Sequence, residues 1–396
     1  MISVRQAQQI IRQQITPTAI EDVPLLHGQD RRLAGPIAAK LTQPPFNASA
    51  MDGYACRVED AVNGARLSVI GTASAGEQFT GSVGPGETVR IFTGAPVPID
   101  ATCIVIQENT DRHGDEIRVK TNANDGEHIR RAGIDFVEGQ ALLDAGTRLT
   151  GPALALAAAG NNATVPVRQR PKVALIANGD ELVMPGDPRG ADQIICSVPF
   201  GLIPMIRAWG GDPEFMGIAP DEPDAMREMA EKAVTYDLVV PIGGASVGDK
   251  DLMRPTFSKL GAELLFEKVA VKPGKPTWFA QHEDARILGL PGNPASALVT
   301  AILFVQVAIK AFLDESQDDD SFLHRAKLRG TLNANGPREG YLRAHINLTD
   351  EGAVVIPARN QDSSLLSTFA DADALIRRLP HADSVPDGGP IEYLPL

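Results

Sequence analysis

The stretch 236–251, YDLVVPIGGASVGDKD, contains residues whose types and spacing suit phosphate and metal chemistry. Its polar loop contains, in order, Gly243, Gly244, Ser246 and Gly248, followed by Asp249 and Asp251. Paired glycines let the backbone approach a ligand closely, and the loop's N–H groups can face an anion. Carboxylates beside such a loop suggest a divalent cation that bridges them to a phosphate. The plain alternative is an ordinary turn between a strand and a helix.

An alternation of strands and helices positions this loop. Leu238–Ile242 is an apolar run of the length of a strand that is buried on both faces, and similar runs alternate with helical patterns from Pro171 to Leu313. Such alternation predicts a parallel sheet covered on both faces, with ligands beyond the carboxyl ends of its strands. Three polar loops fall at those ends: NGDE at 178–181, the stretch from Gly243 to Asp251, and PGNP at 291–294. We expect these loops to converge on one site.

The remainder of the chain has a different pattern. Ser3 and Gln6 have capping-box spacing and open an amphipathic helix, and 151–160 predicts an Ala/Leu-rich helix that we expect to pack beside the first. Short β-branched runs separated by turn residues predict an inserted β domain, and a second β-rich unit follows the acidic run DESQDDDS. The predicted domains are 1–45 with 141–168, then 46–140, 169–320 and 321–396.

Composition limits the class of protein. With 37 basic and 50 acidic residues, the net charge of −13 argues against nucleic-acid and anionic-membrane binding. The cysteines, at positions 56, 103 and 196, are far apart in the sequence, which argues against a disulfide framework or a zinc site. The N-terminal segment lacks the apolar core of a signal peptide, and long uninterrupted apolar stretches are missing. These features predict a cytoplasmic protein.

Six segments together resemble one family. They are PPFNASAMDGYA (44–55), IFTGAPVP (91–98), NGDEL (178–182), GGASVGDKD (243–251), KPGKP (272–276) and LPGNPASAL (290–298). In this order they are similar to the molybdopterin molybdenumtransferase family, the MoeA-type enzymes related to the E domain of gephyrin. Several blocks in register are more specific than any single glycine-rich loop.

The resemblance implies a fold and a reaction. The expected fold is multidomain α/β plus β, with a central MogA/MoaB-like molybdopterin-binding domain of parallel sheet. An N-terminal helical and extended domain, an inserted small β domain and a C-terminal β-barrel-like domain complete it. The expected reaction converts adenylylated molybdopterin and molybdate, with Mg²⁺, to molybdenum cofactor and AMP.

The resemblance also implies partners. It predicts a homodimer whose active cleft lies between the α/β domain of one subunit and the C-terminal β domain of the other. A MogA-like adenylyltransferase and molybdoenzyme acceptors are the expected further partners.

Site residues follow from matching the segments one by one. The expected catalytic residues are Asp52, Thr93, Glu181, Asp251, Lys268, Lys272 and Arg343. The expected cofactor-binding residues are Gly243, Gly244, Ser246, Gly248, Lys275, Pro291, Gly292, Asn293, Pro294 and Ser363. The expected metal ligands are Asp52, Asp135, Glu181, Asp221 and Asp251. Lys268, Lys272 and Lys275 would supply local positive charge, and we expect Lys272 and Arg343 to hold molybdate or phosphate oxygens, Arg by its fork and Lys as a point charge.

Plainer roles stand beside several of these assignments. Asp221 and Asn293 each precede a helix and can serve only as N-caps, and Thr93 can be a turn residue at a strand end. Any single lysine of 268, 272 and 275 can be a solvated surface charge. The backbone N–H groups of PGNP and of the start of its helix can add anion binding.

The chain also departs from the family pattern. Asn47 and Asn178 replace the usual Asp and Thr/Ser, and Cys196-Ser197-Val198 replaces a D-S-N-like block. Cys196 is either a reactive thiol or a small buried residue. These departures leave open a divergent paralogue with altered metal preference, such as tungstate, and a non-catalytic molybdopterin-binding scaffold. A nucleotide pyrophosphatase on the same α/β module is a further alternative.

Overall fold

The computed structural model describes residues 1–244, 252–315, 323–350 and 352–396. These residues form two compact units. Unit 1 contains Met1–Glu21 and Arg168–Leu396, and unit 2 contains Asp22–Val167. The four predicted domain boundaries stay predictions.

The helices of the described residues are α1 (Val4–Gln13), α2 (Gly151–Ala159), α3 (Val198–Ala208), α4 (Pro223–Ala233), α5 (Met253–Lys259), α6 (Pro294–Thr300), α7 (Gln306–Phe312) and α8 (Leu366–Ala370). A π-helical turn, Ala301–Val305, joins α6 to α7. The strands are β1 (Ile20–Pro24), β2 (Ile37–Ala38), β3 (Ala48–Ser49), β4 (Gly53–Cys56), β5 (Arg66–Ala73), β6 (Glu87–Ile91), β7 (Cys103–Ile106), β8 (Thr110–His113), β9 (Glu116–Val119), β10 (Ile129–Arg130), β11 (Ala141–Leu143), β12 (Thr164–Arg168), β13 (Lys172–Asn178), β14 (Leu182–Val183), β15 (Ile194–Ile195), β16 (Asp212–Ala219), β17 (Leu238–Ile242), β18 (Glu263–Phe266), β19 (Val271–Lys272), β20 (Trp278–His282), β21 (Ala285–Gly289), β22 (His324–Leu328), β23 (Glu339–Thr349), β24 (Gly352–Pro357), β25 (Ala374–Arg378) and β26 (Pro390–Pro395).

The central sheet of unit 1 has the strand order β16-β13-β17-β21-β20-β18. The first four strands are parallel to one another. At one side of the sheet, β20 pairs antiparallel with β21, and β18 pairs antiparallel with β20. Because β13 and β17 lie inside the sheet, they are buried on both faces, and their sequences are nearly continuous apolar runs. The predicted parallel sheet is confirmed.

Helices cover both faces of this sheet. On one face α1, α3, α6 and α7 form the larger core, which contains Ile11, Leu202 and Phe304. On the other face α4 and α5 pack through Met226 and Phe257. The expected capping box of α1 is present, since Gln6 N–H donates to Ser3 Oγ at 3.1 Å and Ser3 N–H donates to Gln6 Oε1 at 2.9 Å.

The run Pro294–Phe312 is long and apolar enough, by length and composition, to span a membrane. However, 78% of its most apolar window is buried inside the protein, where it packs in the larger core. This burial is typical of a helix in the core of a folded protein.

The C-terminal part of unit 1 is a barrel. Strands β23, β24, β22, β26 and β25 pair in that order, and β25 pairs back to β23, which closes the ring. The short strand β19 joins it by parallel pairing of Val271 with Glu339. The predicted C-terminal β-barrel-like domain is confirmed. Within the barrel, the last strand, β26, was not predicted from the sequence, and neither were several strands elsewhere, such as β18 and β20.

Unit 2 contains a sheet with the order β7-β4-β6-β5-β9-β8 and three further two-stranded pairings, β1 with β12, β2 with β11 and β3 with β10. Its α2 helix packs through Ala153 and Ala157 against Leu149 and Val165. Helix α1 contributes to the larger core of unit 1 and α2 to a core of unit 2, and the expected packing of α2 beside α1 stays a prediction.

Candidate active site

A cleft of about 760 Å³ lies just beyond the carboxyl ends of β13, β17 and β21. Its lining contains residues from all three predicted loops: Asn178 and Glu181, then Gly243 and Gly244, then Pro291, Gly292, Asn293 and Pro294. Neighbouring parallel strands end at one edge of a sheet, so loops distant in sequence meet there. The structure thus brings these loops together.

Gly243 is required by this convergence. Its φ is +96°, and a Cβ added there would lie 2.8 Å from the carbonyl oxygen of Asn178. Its N–H donates to Leu290 O at 3.1 Å, which ties the glycine loop to the strand that precedes PGNP. A side chain at position 243 would force the first and second loops apart.

Glu181 and Asn178 are polar residues of the cleft lining. The Glu181 side chain folds over Gly179, where an added Cβ would lie 2.4 Å from Oε2. Asn178 is 6% exposed, and its Oδ1 is buried without a hydrogen-bond partner among the described residues. A buried acceptor without a partner costs folding free energy, so this amide is suited to receive a hydrogen bond from a ligand.

A small flap borders the same cleft. Strands β14 and β15 pair in parallel, and the N–H of Ile194 donates to Glu181 O at 2.7 Å. Ile194 and Ile195 are exposed and line the cleft. Sequence reasoning missed this apolar wall, although two adjacent isoleucines in a polar loop were the available signal.

Asp221 is not the N-cap of α4, because that position is occupied by Glu222, whose side chain makes no capping bond. The Asp221 N–H donates to Asp180 Oδ1 at 2.9 Å. Its own Oδ1 is buried and unpartnered among the described residues. The plainer N-cap role is therefore excluded, and the metal-ligand role stays a prediction.

The three lysines lie outside the cleft lining as the described residues define it. Lys272 and Lys275 are exposed, and Lys268 Nζ lies 3.8 Å from Glu267 Oε1. Their loop is held firmly, because Gly274 packs so closely on α6 that an added Cβ would lie 2.1 Å from Thr300 Cγ2. Pro276, next to Lys275, does reach the cleft.

Arg343 is fully buried, with 0% of its surface exposed. Its Nη2 donates to Asp362 O at 3.0 Å, and its backbone exchanges hydrogen bonds with the side chain of Gln361 at 3.0 and 2.8 Å. Burial lowers the pKa of the guanidinium, and the Asp362 carboxylate opposes that shift. A side chain buried to this extent conflicts with direct binding of an oxyanion by Arg343. The guanidinium instead holds the backbone of the segment that leads to Ser363.

Ser363 meets the start of α6 within the same chain. Its carbonyl accepts from Ala295 N–H at 3.0 Å, and Asn293 Nδ2 donates to Ser363 Oγ at 3.3 Å. The N–H of Ala295 is therefore occupied, and anion binding by the other N–H groups of this segment stays a prediction. Asn293 occupies the N-cap position but makes no side-chain capping bond.

Asp52 and Thr93 are adjacent in unit 2. Asp52 Oδ1 accepts from Thr93 N–H at 2.8 Å and from Thr93 Oγ1 at 2.9 Å. Both hydrogen bonds lower the pKa of Asp52, and the one from the Thr93 backbone has the larger effect. The positive charge of Arg90 lowers this pKa further. The Arg90 guanidinium lies 5.0 Å from the Tyr54 ring centroid and 4.8 Å from that of Phe92. Sequence reasoning missed Arg90, which no motif marks.

The remaining predicted metal ligands are not assembled in the described part of the chain. Asp135 is exposed and its N–H donates to Gln43 O at 3.2 Å. Within the described ranges, His, Cys, Asp and Glu side chains do not form a group of three suited to a metal ion. The assignments of Ser246, Gly248 and Asp251 lie outside the described residues.

The structure shows the contacts of two residues that depart from the family pattern, Asn47 and Cys196. Asn47 Oδ1 accepts from Ala132 N–H at 3.0 Å, an acceptor role that an aspartate at this position would also fill. Cys196 lines the cleft but is only 3% exposed, and burial raises the pKa of its thiol. A protonated thiol is a poor nucleophile, which favours the structural role.

Family models match three parts of the chain. Residues 2–160 match the MoeA N-terminal region (domain I and II), residues 174–311 match a probable molybdopterin binding domain, and residues 325–396 match the MoeA C-terminal region (domain IV). The cleft described above lies in the second and third of these parts.

Curated relatives and solved structures are similar over most of the chain. A molybdopterin molybdenumtransferase of Nostoc sp. is 34% identical over 83% of this chain and 78% of its own length. The protein of that name from Haemophilus influenzae is 31% identical over 95% and 94%. A crystal structure of a molybdopterin biosynthesis MoeA protein from Pyrococcus horikoshii has a TM-score of 0.86 at 30% identity, and covers 100% of this chain and 99% of its own.

Proposed function

The chain belongs to the molybdopterin molybdenumtransferase family, and from this premise we propose that it converts adenylylated molybdopterin and molybdate into molybdenum cofactor with release of AMP. The observation that carries the proposal is the cleft of about 760 Å³, where three family segments meet at one edge of the sheet. This is the position at which parallel α/β sheets bind ligands.

Two relatives with the transferase name each align over 95% of this chain. This breadth does not favour a divergent paralogue or a non-catalytic scaffold.

The cleft offers complementary groups for a polar substrate. We propose that Asn178 and Glu181 contact the ligand's polar groups, while the flap residues Ile194 and Ile195 cover its apolar surface. Glycine at 243 and 292 lets the backbone approach closely. Lys272 and Lys275, exposed on the rigid KPGKP loop, are the proposed source of positive charge for phosphate or molybdate oxygens.

Magnesium dependence is proposed on the chemistry of the donors. Mg²⁺ in phosphoryl-transfer sites takes one or two carboxylates together with substrate phosphates and water. The Glu181 carboxylate and the unpartnered Oδ1 of Asn178 can serve as oxygen ligands in the cleft, so the residues fit this ion. Asp251, outside the described residues, is the proposed second carboxylate. When bound, the ion would neutralise charge that develops during cleavage of the phosphoanhydride.

We also propose a cytoplasmic homodimer whose site is shared between subunits. The expected arrangement takes the C-terminal β domain from the second subunit. Ser364 and Leu366 of the same chain already line the cleft, so the C-terminal part of one chain contributes to the site of that same chain. The proposed supplier of substrate is a MogA-like adenylyltransferase, and the proposed recipients are molybdoenzymes.

The deciding experiment is single-turnover conversion of adenylylated molybdopterin by the purified protein with Mg²⁺, with and without molybdate. The expected result is joint release of AMP and appearance of metallated cofactor. Substrate binding without AMP release would indicate a carrier instead. No binding at all would mean that the cleft serves another ligand.

Two variants test the carboxylates in the same assay. Glu181→Gln removes the negative charge while keeping the side-chain size, and we expect a loss of turnover of about 100-fold or more. Asp251→Ala should abolish Mg²⁺-dependent turnover while leaving the fold intact. Glu222→Gln is the control, because its side chain makes no capping bond at α4 and should leave turnover unchanged. Wild-type activity in Glu181→Gln would remove this residue from the site.

A further inference from the structure

Cys56 and Cys103, 47 positions apart, face each other in the core of unit 2. Cys56 ends β4, Cys103 begins β7, and the two residues are directly opposed in antiparallel register. Their Sγ atoms are 3.8 Å apart, and both side chains are 0% exposed. All three cysteines of the chain are free thiols, and Cys196 lies in unit 1.

We propose that Cys56 and Cys103 are a site of reversible disulfide formation by a neutral oxidant such as hydrogen peroxide. Directly opposed antiparallel residues have Cα atoms about 4.5–5.5 Å apart, within the range of about 4.4–6.8 Å that disulfides span. The two sulfurs are in contact at 3.8 Å, so closing the bond to about 2.05 Å needs mainly a rotation of the two side chains.

Either sulfur can donate the hydrogen bond between the two thiols, and Cys103 Sγ also donates to Cys56 O at 3.6 Å. One thiol of the pair loses its proton, and its sulfur attacks one peroxide oxygen. This step gives a sulfenic acid and releases hydroxide, which takes up the proton as water. The second sulfur then displaces the sulfenic hydroxyl, which leaves as water with the proton of the second thiol. In sum, two thiols and one hydrogen peroxide give one disulfide and two waters.

Surrounding charges select the class of oxidant. Asp60 acts on Cys56, and Glu59, Asp125 and Glu127 act on Cys103, each disfavouring a thiolate. The same carboxylates repel anionic reagents such as glutathione disulfide, while neutral peroxide is not repelled.

Access comes from the position of the pair in the sheet. Strand β7 is at the edge of the sheet, and both cysteines lie at the same end of the β4–β7 ladder. Strand ends open locally at lower free-energy cost than the core unfolds. Small oxidants therefore reach the sulfurs without unfolding of the unit.

The bond would restrain the sheet that carries the Asp52–Thr93 pair. Strand β4 begins at Gly53, one residue after Asp52, and Thr93 lies in the loop of chain that the bond would close. A crosslink that closes a long loop stabilises chiefly by restricting the unfolded chain. Oxidised protein should therefore unfold at a higher temperature than reduced protein.

The test uses the full chain, treated with hydrogen peroxide at neutral pH, quenched, denatured and alkylated with N-ethylmaleimide. The expected product carries one maleimide where the reduced protein, with its three thiols, carries three. Peptide mapping should identify a Cys56–Cys103 crosslink that dithiothreitol reverses. Diamide, also uncharged, should produce the same bond, whereas glutathione disulfide should act more slowly.

Cys196 is the internal comparison, since it is a buried lone thiol at 3% exposure. Cys196→Ser should still form the crosslink and show the rise in unfolding temperature, whereas Cys56→Ser and Cys103→Ser should show neither. If a serine variant fails to fold, the peptide map of the wild-type chain decides alone. The proposal is overturned if Cys196 is oxidised while the pair stays reduced, or if the pair is converted only to separate sulfinic or sulfonic acids.

Discussion

At the scale of single residues, the Asp52–Thr93 contact shows how backbone geometry sets an acid's charge state. One carboxylate oxygen receives both the N–H and the hydroxyl of Thr93. Hydrogen bonds to the ionised form lower the pKa of Asp52 below its ordinary value of 3.8. The stability that this ionisation adds is present above the unfolded pKa and is lost as the pH falls through the lower folded pKa.

Thr93→Val should raise the pKa of Asp52 towards its ordinary value, because it removes the hydroxyl donor and leaves the backbone donor. Carboxyl carbon chemical shifts followed through an acid titration measure the change. Thr93→Ser keeps the hydroxyl and should keep the lowered pKa. An unchanged titration in Thr93→Val would mean that the backbone bond alone sets the shift.

Two buried asparagines have opposite roles. Asn178 and Asn162 are each 6% exposed. Asn162 Nδ2 donates to Ala38 O at 3.1 Å, whereas Asn178 Oδ1 is unpartnered among the described residues. A buried polar group with a partner supports the fold, while one without a partner is available to a ligand.

Asn178→Leu should therefore leave the unfolding temperature unchanged or higher while weakening substrate binding by about 10-fold or more. Asn162→Leu should destabilise the protein by about 1–3 kcal/mol, because carbonyl groups lose their donor. Thermal unfolding and substrate titration of both variants measure these effects. A large loss of stability in Asn178→Leu would contradict a ligand-binding role for this amide.

At the scale of elements, segment 361–366 connects the barrel to the cleft within unit 1. Arg343 on β23 holds the carbonyl of Asp362, and Ser363 then caps Ala295 at the start of α6. The next residues of the segment, Ser364 and Leu366, line the cleft. Arg343 thus acts on the site by positioning this segment.

Arg343→Met should loosen the segment while leaving the barrel strands protected. The lost hydrogen bond from a charged group is worth about 1.5–3 kcal/mol, so amide exchange in 361–366 should accelerate by roughly 10- to 100-fold. Hydrogen exchange with mass spectrometry resolves the segment. Arg359→Met, a change at an exposed arginine nearby, should leave exchange unchanged. Equal acceleration across the whole barrel would indicate general destabilisation instead of positioning.

At the scale of the whole molecule, the two compact units have separate cores. Unit 2 contains three apolar clusters of its own, which include Leu149, Cys103 and Val89. Unit 1 contains the sheet cores and the barrel core. A unit with its own buried apolar core meets the main requirement for independent folding.

The fragment Asp22–Val167 should therefore fold alone and unfold cooperatively in urea. Circular dichroism and dispersed amide NMR signals measure this. Val89→Asp in the same fragment is the control, because it places an unpaired charge at a position that is 0% exposed and should abolish folding. A broad, non-cooperative transition in the unchanged fragment would show that unit 2 depends on the remainder of the chain.

Local sequence patterns predicted many of the longer elements of the fold. The Ser3–Gln6 capping box, the apolar runs of β13 and β17, and the turns between the strands of unit 2 were predicted because each depends on neighbouring residues. The meeting of three loops at one edge was also predictable. Once the strands are parallel and adjacent, their carboxyl ends share that edge.

Only the tertiary structure decided which distant residues touch. It buried Arg343 in the barrel, joined Ser363 to Ala295, and set Cys56 opposite Cys103. It also closed the barrel through β23 and β25. Each of these contacts joins residues far apart in the chain. They depend on which strands pair and on which element covers which face, and the local sequence pattern does not specify the partner of a strand or of a helix.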